Sequence, residues 1–205
     1  MHTIKSIGNF IKRHRFIIIS CIAIFSVVAA LELLSGRSPL GPDGQFGWWD
    51  GNVWSNENSQ RVADAYSFSH IIHGMLFYGF LWFIARKLPK RLQDKFPRKY
   101  WFLIALIIEA GWELLENSPL IINRYREATI ALGYVGDSVL NSVCDVGMMA
   151  IGFLIARFTK VWIIIALILA MELGCLFWVR DNLTLNVLML VYPVQSVKVW
   201  QSEGH

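Results

Sequence analysis

Eight side chains able to do chemistry recur at helical spacing inside segments that are otherwise apolar: His70 and His73, then Glu109, Glu113 and Glu116, then Asp137, Asn141 and Asp145. Residues three or four apart share one face of a helix, so each group forms a polar stripe. Ionisable groups in hydrocarbon are costly and commonly mark a functional site. Two histidines with several carboxylates offer the donor set of zinc, iron or manganese. Such an ion would acidify a bound water while a remaining carboxylate acts as general base. The same residues could instead carry protons or a cation, or tie helices together as a hydrogen-bonded network.

No HExxH or ExxH string occurs, so the stripes have to be brought together from separate helices. Five segments are apolar and long enough to cross a hydrocarbon core of about 30 Å. They run from Phe16 to Leu34, Tyr66 to Ala85, Tyr100 to Ser118, Val135 to Ala156 and Val161 to Val179. A sixth stretch, Leu183 to Tyr192, is short and is followed by Pro193, which suits a re-entrant or interfacial helix. With 205 residues, 55% of them hydrophobic, and a mean hydropathy of +0.46, the chain is expected to be one integral membrane domain over residues 1–205, an all-α polytopic bundle.

The formal charge of +4 needs no nucleic acid to explain it, because most basic residues flank helices on alternate connections. Lys5, Lys12, Arg13 and Arg15 precede the first span. Arg86, Lys87, Lys90, Arg91, Lys95, Arg98 and Lys99 lie between the second and third, and Arg157 and Lys160 between the fourth and fifth. The positive-inside rule then places the N-terminus and these connections in the cytoplasm, and the three polar stripes converge in the outer leaflet. A basic stretch before an apolar run also fits a signal sequence, but the length of the run and the lack of a small-x-small cleavage site favour an uncleaved anchor. Cys21, Cys144 and Cys175 are scattered and make neither a disulfide framework nor a zinc cluster.

Two outer connections frame the site. The first, Ser35 to Ala65, is rich in Gly, Pro, Asn and Trp, and Trp48, Trp49 and Trp54 are read as interfacial anchors. The second carries Asn117, Arg124, Tyr125 and Arg126 beside the acidic stripes. Two arginines outside break the charge pattern. They suit either a phosphate or carboxylate headgroup or pairing with Glu116 or Asp137. Glu32 and Glu172 lie close enough to helix ends to be solvated and are left outside the core site. The sequon Asn182-Leu183-Thr184 is read as chance.

The strings SFSHIIHGMLFY, EAGWELLENSPLIINRYREATIALGYVGDSVLNSVCDV and RDNLTLNVLMLVYP together resemble a family of uncharacterised bacterial inner-membrane proteins grouped under a domain of unknown function. The resemblance implies a multi-pass protein of the bacterial cytoplasmic membrane, so that "outside" means periplasmic. More distantly, the run from Glu109 and Glu113 through Arg126 to GDSVLNSVCDVGMMAIG is similar to the VanZ-like pattern of an acidic helix, a basic loop and an Asp-x-x-x-Asn helix, mapping onto Asp137 and Asn141. The histidines, the tryptophan loop and the further glutamates depart from that pattern.

The resulting expectation is an inner-membrane protein with a polar site in the periplasmic half of the bilayer, acting on a lipid or lipid-linked envelope substrate. Glu113, Asp137 and Glu116 are the candidate catalytic groups; His70, His73, Glu109 and Asp145 are candidate metal ligands; Arg124, Arg126, Asn117 and Asn141 are candidates for holding substrate. The alternatives are proton- or cation-coupled binding or transport, and a non-catalytic envelope assembly protein.

Overall fold

The computed structural model describes residues 2–131 and 133–203. Side chains are described for all of these except residues 2–11 and 13, so Lys5 and Arg13 lie outside the described side chains. Helix α1 (His2–Leu34) begins well before the apolar run, whose membrane-compatible part is His14–Leu34. The outer connection contains a two-residue parallel ladder, β1 (Trp49–Asp50) with β2 (Ala63–Asp64). Then come α2 (Ser67–Lys87), the short α3 (Lys90–Gln93), α4 (Trp101–Glu116), α5 (Pro119–Ala128), α6 (Val139–Phe158), α7 (Val161–Val179), α8 (Leu183–Val191) and α9 (Gln195–Ser202).

Four of these, in α1, α2, α6 and α7, are long and apolar enough to cross a membrane. The third expected span, α4, has 16 residues. At 1.5 Å per residue it covers about 24 Å, short of a full hydrocarbon core. Its chain leaves the helix at Asn117, and Pro119 then opens α5 at its first turn, where a missing N–H costs nothing. Helix α5 was expected as loop, because its polar residues hid the helical run. Helix α4 is well enclosed: Ala105, Leu106, Glu109 and Glu113 have no accessible surface, and Leu106 packs with Leu81, Trp101, Val146, Met149 and Phe153 in the apolar core. Helix α7 is the opposite case, with Cys175 its one buried residue among those described and Trp162, Phe177 and Trp178 outward. A helix that is apolar all round and so exposed suits lipid contact.

Helices α2 and α6 touch backbone to backbone. A methyl group on Gly74 would stand 2.0 Å from the Met149 carbonyl oxygen, and one on Gly152 would stand 1.9 Å from that of Ile71. Small residues permit this approach, and van der Waals packing then holds the pair where lipid supplies no hydrophobic drive.

The start of α6 is fixed by the outer connection. Gly136 has φ +89°, a conformation only glycine adopts without strain. The chain then enters the helix at Val139, four residues later than the apolar count from Val135 suggests, with Ser138 as N-cap. The Ser138, Val139 and Leu140 N–H groups donate to the carbonyls of Ser59, Ser38 and Pro39 at 3.1, 2.9 and 3.2 Å. The Asn141 N–H donates to Ser138 Oγ at 3.2 Å. The orphan donors of a helix start are therefore all answered, and three of the bonds tie the start of α6 to Ser38, Pro39 and Ser59, far earlier in the chain.

Replacing Gly74 or Gly152 with Ala should separate α2 from α6 and cost about 1–3 kcal/mol or more. Gly79→Ala, on the same helix with open space around it, should be neutral or slightly stabilising. Thermal melts of the three variants in one detergent check this, and equal melting points would contradict the close crossing.

Candidate functional site

The three stripes meet at one end of the bundle. His70 and His73 lie in the first two turns of α2, Glu109 and Glu113 in the last two of α4, and Asp145 in the second turn of α6. Glu109 is the hinge of the arrangement. His70 Nδ1 lies 2.7 Å from its Oε1, and His73 Nδ1 lies 3.1 and 3.2 Å from its two oxygens. With Nδ1 committed to Glu109, His70 keeps Nε2 as its free donor atom, 3.8 Å from Asp145 Oδ2. Asp145 Oδ1 accepts from Ser67 Oγ at 3.1 Å.

Glu113 differs from its neighbours. It has no accessible surface, and neither carboxylate oxygen has a hydrogen-bond partner among the described residues, although Oε1 approaches His70 Nδ1 at 3.3 Å. Two overlapping sets of donor atoms come together: His70, His73 and Glu109, and His70, Glu113 and Glu116, each with its atoms within 4.8 Å of one another. Both sets have the residue types that hold zinc, iron or manganese.

A cavity of about 70 Å³ adjoins these groups. At about 10–15 Å³ per water it has room for several waters or one small polar group. His70, His73, Glu116, Asp137, Asn141 and Asp145 all line it. Its remaining wall is aromatic and apolar in part, with Trp112, Tyr66, Tyr125, Tyr134, Leu183 and Val187. Three of the phenols donate to carboxylates: Tyr125 to Glu116 at 2.8 Å, Tyr134 to Asp137 at 2.8 Å and Tyr66 to Asp181 at 3.2 Å.

The candidates for holding substrate have more local partners. Asn117 donates to Asp137 Oδ2 at 3.1 Å and to Ser142 Oγ at 2.9 Å, and its Oδ1 accepts from the Asp137 N–H at 2.6 Å. It thus locks the end of α4 to the residue just before α6. Asn141 donates to the Arg61 carbonyl at 2.9 Å and pins the outer connection. Arg124 Nε donates to the Leu190 carbonyl at 2.8 Å and Arg126 Nε to that of Tyr134. Among the described residues no lysine or arginine lines the cavity.

Of the two glutamates set aside as solvated, Glu32 is buried, whereas Glu172 stays partly exposed and has a structural role. Glu32 on α1 is 1% exposed, and both its oxygens lack a partner among the described residues, because α1 packs that face against α4 and α6. Glu172 caps α8, accepting from the Leu183 and Thr184 N–H groups at 3.0 and 3.2 Å, while Asn182, the supposed sequon, accepts from the Leu185 N–H at 2.8 Å. Asp64 and Asp181 escaped notice in the sequence. Asp64 is 1% exposed and accepts from the N–H groups of Ser59, Tyr66 and Ser67, setting the entry to α2. Its position three residues before a span was the available signal.

Burial pushes Asp137, two residues outside the α6 span, up to about 7; the Tyr134 and Asn117 bonds oppose that rise, while Asp64 and Glu32 add to it. Burial likewise takes Asp181 up to about 6 against its hydrogen bonds.

A helical membrane protein with a buried histidine and carboxylate centre is the class this architecture defines. The chain belongs to the family of proteins of unknown function DUF2585, whose model matches residues 32–203. It is similar to the UPF0314 protein of Sphingopyxis alaskensis, 51% identical over 184 residues that cover 89% of this chain and 93% of that protein. It is 46% identical over 191 residues to a UPF0314 protein of Rhizobium johnstonii, covering 93% of this chain and 94% of that protein. The likeness to the family expected from the sequence is thus established, whereas the VanZ-like likeness gains no support from these matches. No solved structure matches the chain.

Asp137 supplies a pH test. Its folded pKa lies above the ordinary 3.8, so the folded protein holds a proton there that the unfolded chain releases, and stability should fall as pH rises from about 4 to about 7. In Asp137→Asn that slope should be shallower by about one proton. Melting points in detergent across this range check it; identical slopes would place the proton elsewhere.

Proposed function

We propose that this protein is an enzyme of the bacterial inner membrane that uses acid and base groups on the polar end of a lipid or lipid-linked envelope substrate. In this reading the N-terminus is cytoplasmic and the cavity lies in the periplasmic half of the bilayer. The observation that carries the reading is the convergence of His70, His73, Glu116, Asp137 and Asp145 on one small cavity whose other wall sets Trp112, Leu183 and Val187 among further polar groups. A polar headgroup fits the first half of that wall and the start of an acyl or prenyl chain the second.

Asp137 is the group best placed to take a proton near neutral pH, since a general base works best with a pKa near the working pH. Tyr134 and Asn117 hold its two oxygens in place. In a hydrolysis, Asp137 would take a proton from water, the water oxygen would bond to the acyl or phosphoryl centre, and the leaving oxygen would receive that proton back from Asp137 as its bond to the centre breaks. Arg124 and Arg126 act in this reading through the helix α5 that they fasten, since their Nε atoms are occupied by main-chain carbonyls.

The purified protein, incubated with total envelope lipid in detergent and followed by mass spectrometry, should convert one lipid class over time. Asp137→Asn should slow that conversion by about 10²–10⁴-fold, while Asp94→Asn, exposed on the connection between α3 and α4 at the other end of the bundle, should leave it within a few-fold. Full conversion by folded Asp137→Asn would overturn the role of that residue. No conversion, with pH-driven cation flux in vesicles instead, would favour transport. Neither activity, with early melting of the cavity variants, would favour a structural network.

A further inference from the structure

The function proposed above leaves unexplained why a carboxylate as enclosed as Glu113 is kept without a hydrogen bond. Burying a polar group without a partner costs free energy, and burying an ionised carboxylate without one costs far more. A neutral carboxylic acid would still present an O–H that needs an acceptor. Within the same pocket of structure, Glu109 is fully engaged by two histidines, Glu116 by Tyr125 and Asp145 by Ser67. Glu113 is therefore singled out, and its oxygen lies within 4.8 Å of donor atoms on His70 and Glu116.

We propose that His70, Glu113 and Glu116 bind a single first-row divalent cation of the zinc, iron or manganese class, with Asp145 beside them and Glu109 as the outer carboxylate that orients His70. This inference deepens the acid and base reading of the same cavity. Of the two overlapping donor sets, the one with Glu113 is chosen because its carboxylate has nothing else to do. The set with Glu109 is already satisfied internally. Glu109 holds His70 Nδ1, as carboxylates commonly hold metal-binding histidines, and Glu113 Oε1 stands 3.3 Å from that same nitrogen. Nε2, 3.8 Å from Asp145 Oδ2, is therefore the ring atom left for the ion, and the Glu113 carboxylate, without a hydrogen-bond partner among the described residues, would turn to meet it. Two carboxylates and one imidazole match a cation that prefers mixed nitrogen and oxygen donors, and the adjoining cavity leaves room for water on the ion's open side. When bound, the ion would polarise substrate or acidify that water.

The test uses the full-length protein purified in detergent without chelators, then dialysed against zinc or manganese and measured by elemental analysis and titration calorimetry. One ion per chain is expected. Glu113→Gln should abolish binding, Glu109→Gln should weaken it about 10–100-fold through loss of the orienting bond, and Glu172→Gln should bind as the parent does. Cobalt substitution should give visible bands of a nitrogen and oxygen site that disappear in Glu113→Gln. A folded Glu113→Gln that still holds one ion would overturn the assignment. So would a parent protein that binds none while Glu113→Gln melts higher, since that would identify Glu113 as a neutral buried acid. Lipid conversion without any ion would sink the metal centre and leave the acid and base reading standing; stoichiometric ion without conversion would do the reverse.

Discussion

Everything at the polar end of this bundle depends on how closely α2 and α6 approach. Gly74 and Gly152 let the two backbones touch, and that contact, one turn from His70 and two turns from Asp145, fixes the gap between these residues. With any larger residue the helices would part, His70 would leave Asp145, and the cavity would lose its common wall. Helix α4 then lies against both, and it encloses Glu109 and Glu113 completely while Glu116 faces the cavity. Packing in the apolar half of the bundle, built on Leu106, Met149 and Phe153, thus determines the spacing of donors in the polar half.

That geometry forces many carboxylates into one small volume, and the chain meets the problem with phenol, amide and imidazole donors rather than with lysine or arginine. Phenols serve Glu116, Asp137 and Asp181; main-chain amides serve Asp64; imidazoles serve Glu109. Phenol and amide donors stabilise an acid without cancelling its charge, so the region keeps a strong affinity for protons or positive ions. The arginines nearby are spent on main-chain carbonyls and act as fasteners of α5. Glu113 and Glu32 stand outside this pattern, the first inside the donor cluster and the second behind Asn117.

The sequence disclosed the three polar stripes because helical spacing is a local property. The intervals His70/His73 on α2, Glu109/Glu113/Glu116 on α4 and Asn141/Asp145 on α6 survive in the structure, as does Val161 to Val179 as a span, whereas Asp137 falls before the N-cap Ser138 and joins the third stripe from outside the helix. What it concealed is tertiary. Glu32 looked solvated because only packing against α4 and α6 buries it. Asp64 and Asp181 looked like ordinary loop acids because their partners are main-chain amides and a distant tyrosine. Helix α5 was hidden by its polarity, and the length of α4 was overestimated because the apolar run continues past the turn at Asn117. Tyr134 looked like a loop residue, yet its hydroxyl reaches Asp137 three positions on, a contact that depends on the left-handed turn at Gly136.

The hydrogen bonds that join Ser38, Pro39 and Ser59 to the first turn of α6 have a bearing on biogenesis. The connection between α1 and α2 is synthesised long before its partners on α6 leave the ribosome. Until then its carbonyls have only water, and its short ladder has little to rest on. The segment therefore takes its final form late, after the helix that follows Gly136 has inserted, and contacts so distant in sequence are slow to close. A chain stalled before α6 would carry this connection as a floppy, protease-sensitive tether, so the completed fold advertises its own completion by the resistance of that one segment to cleavage.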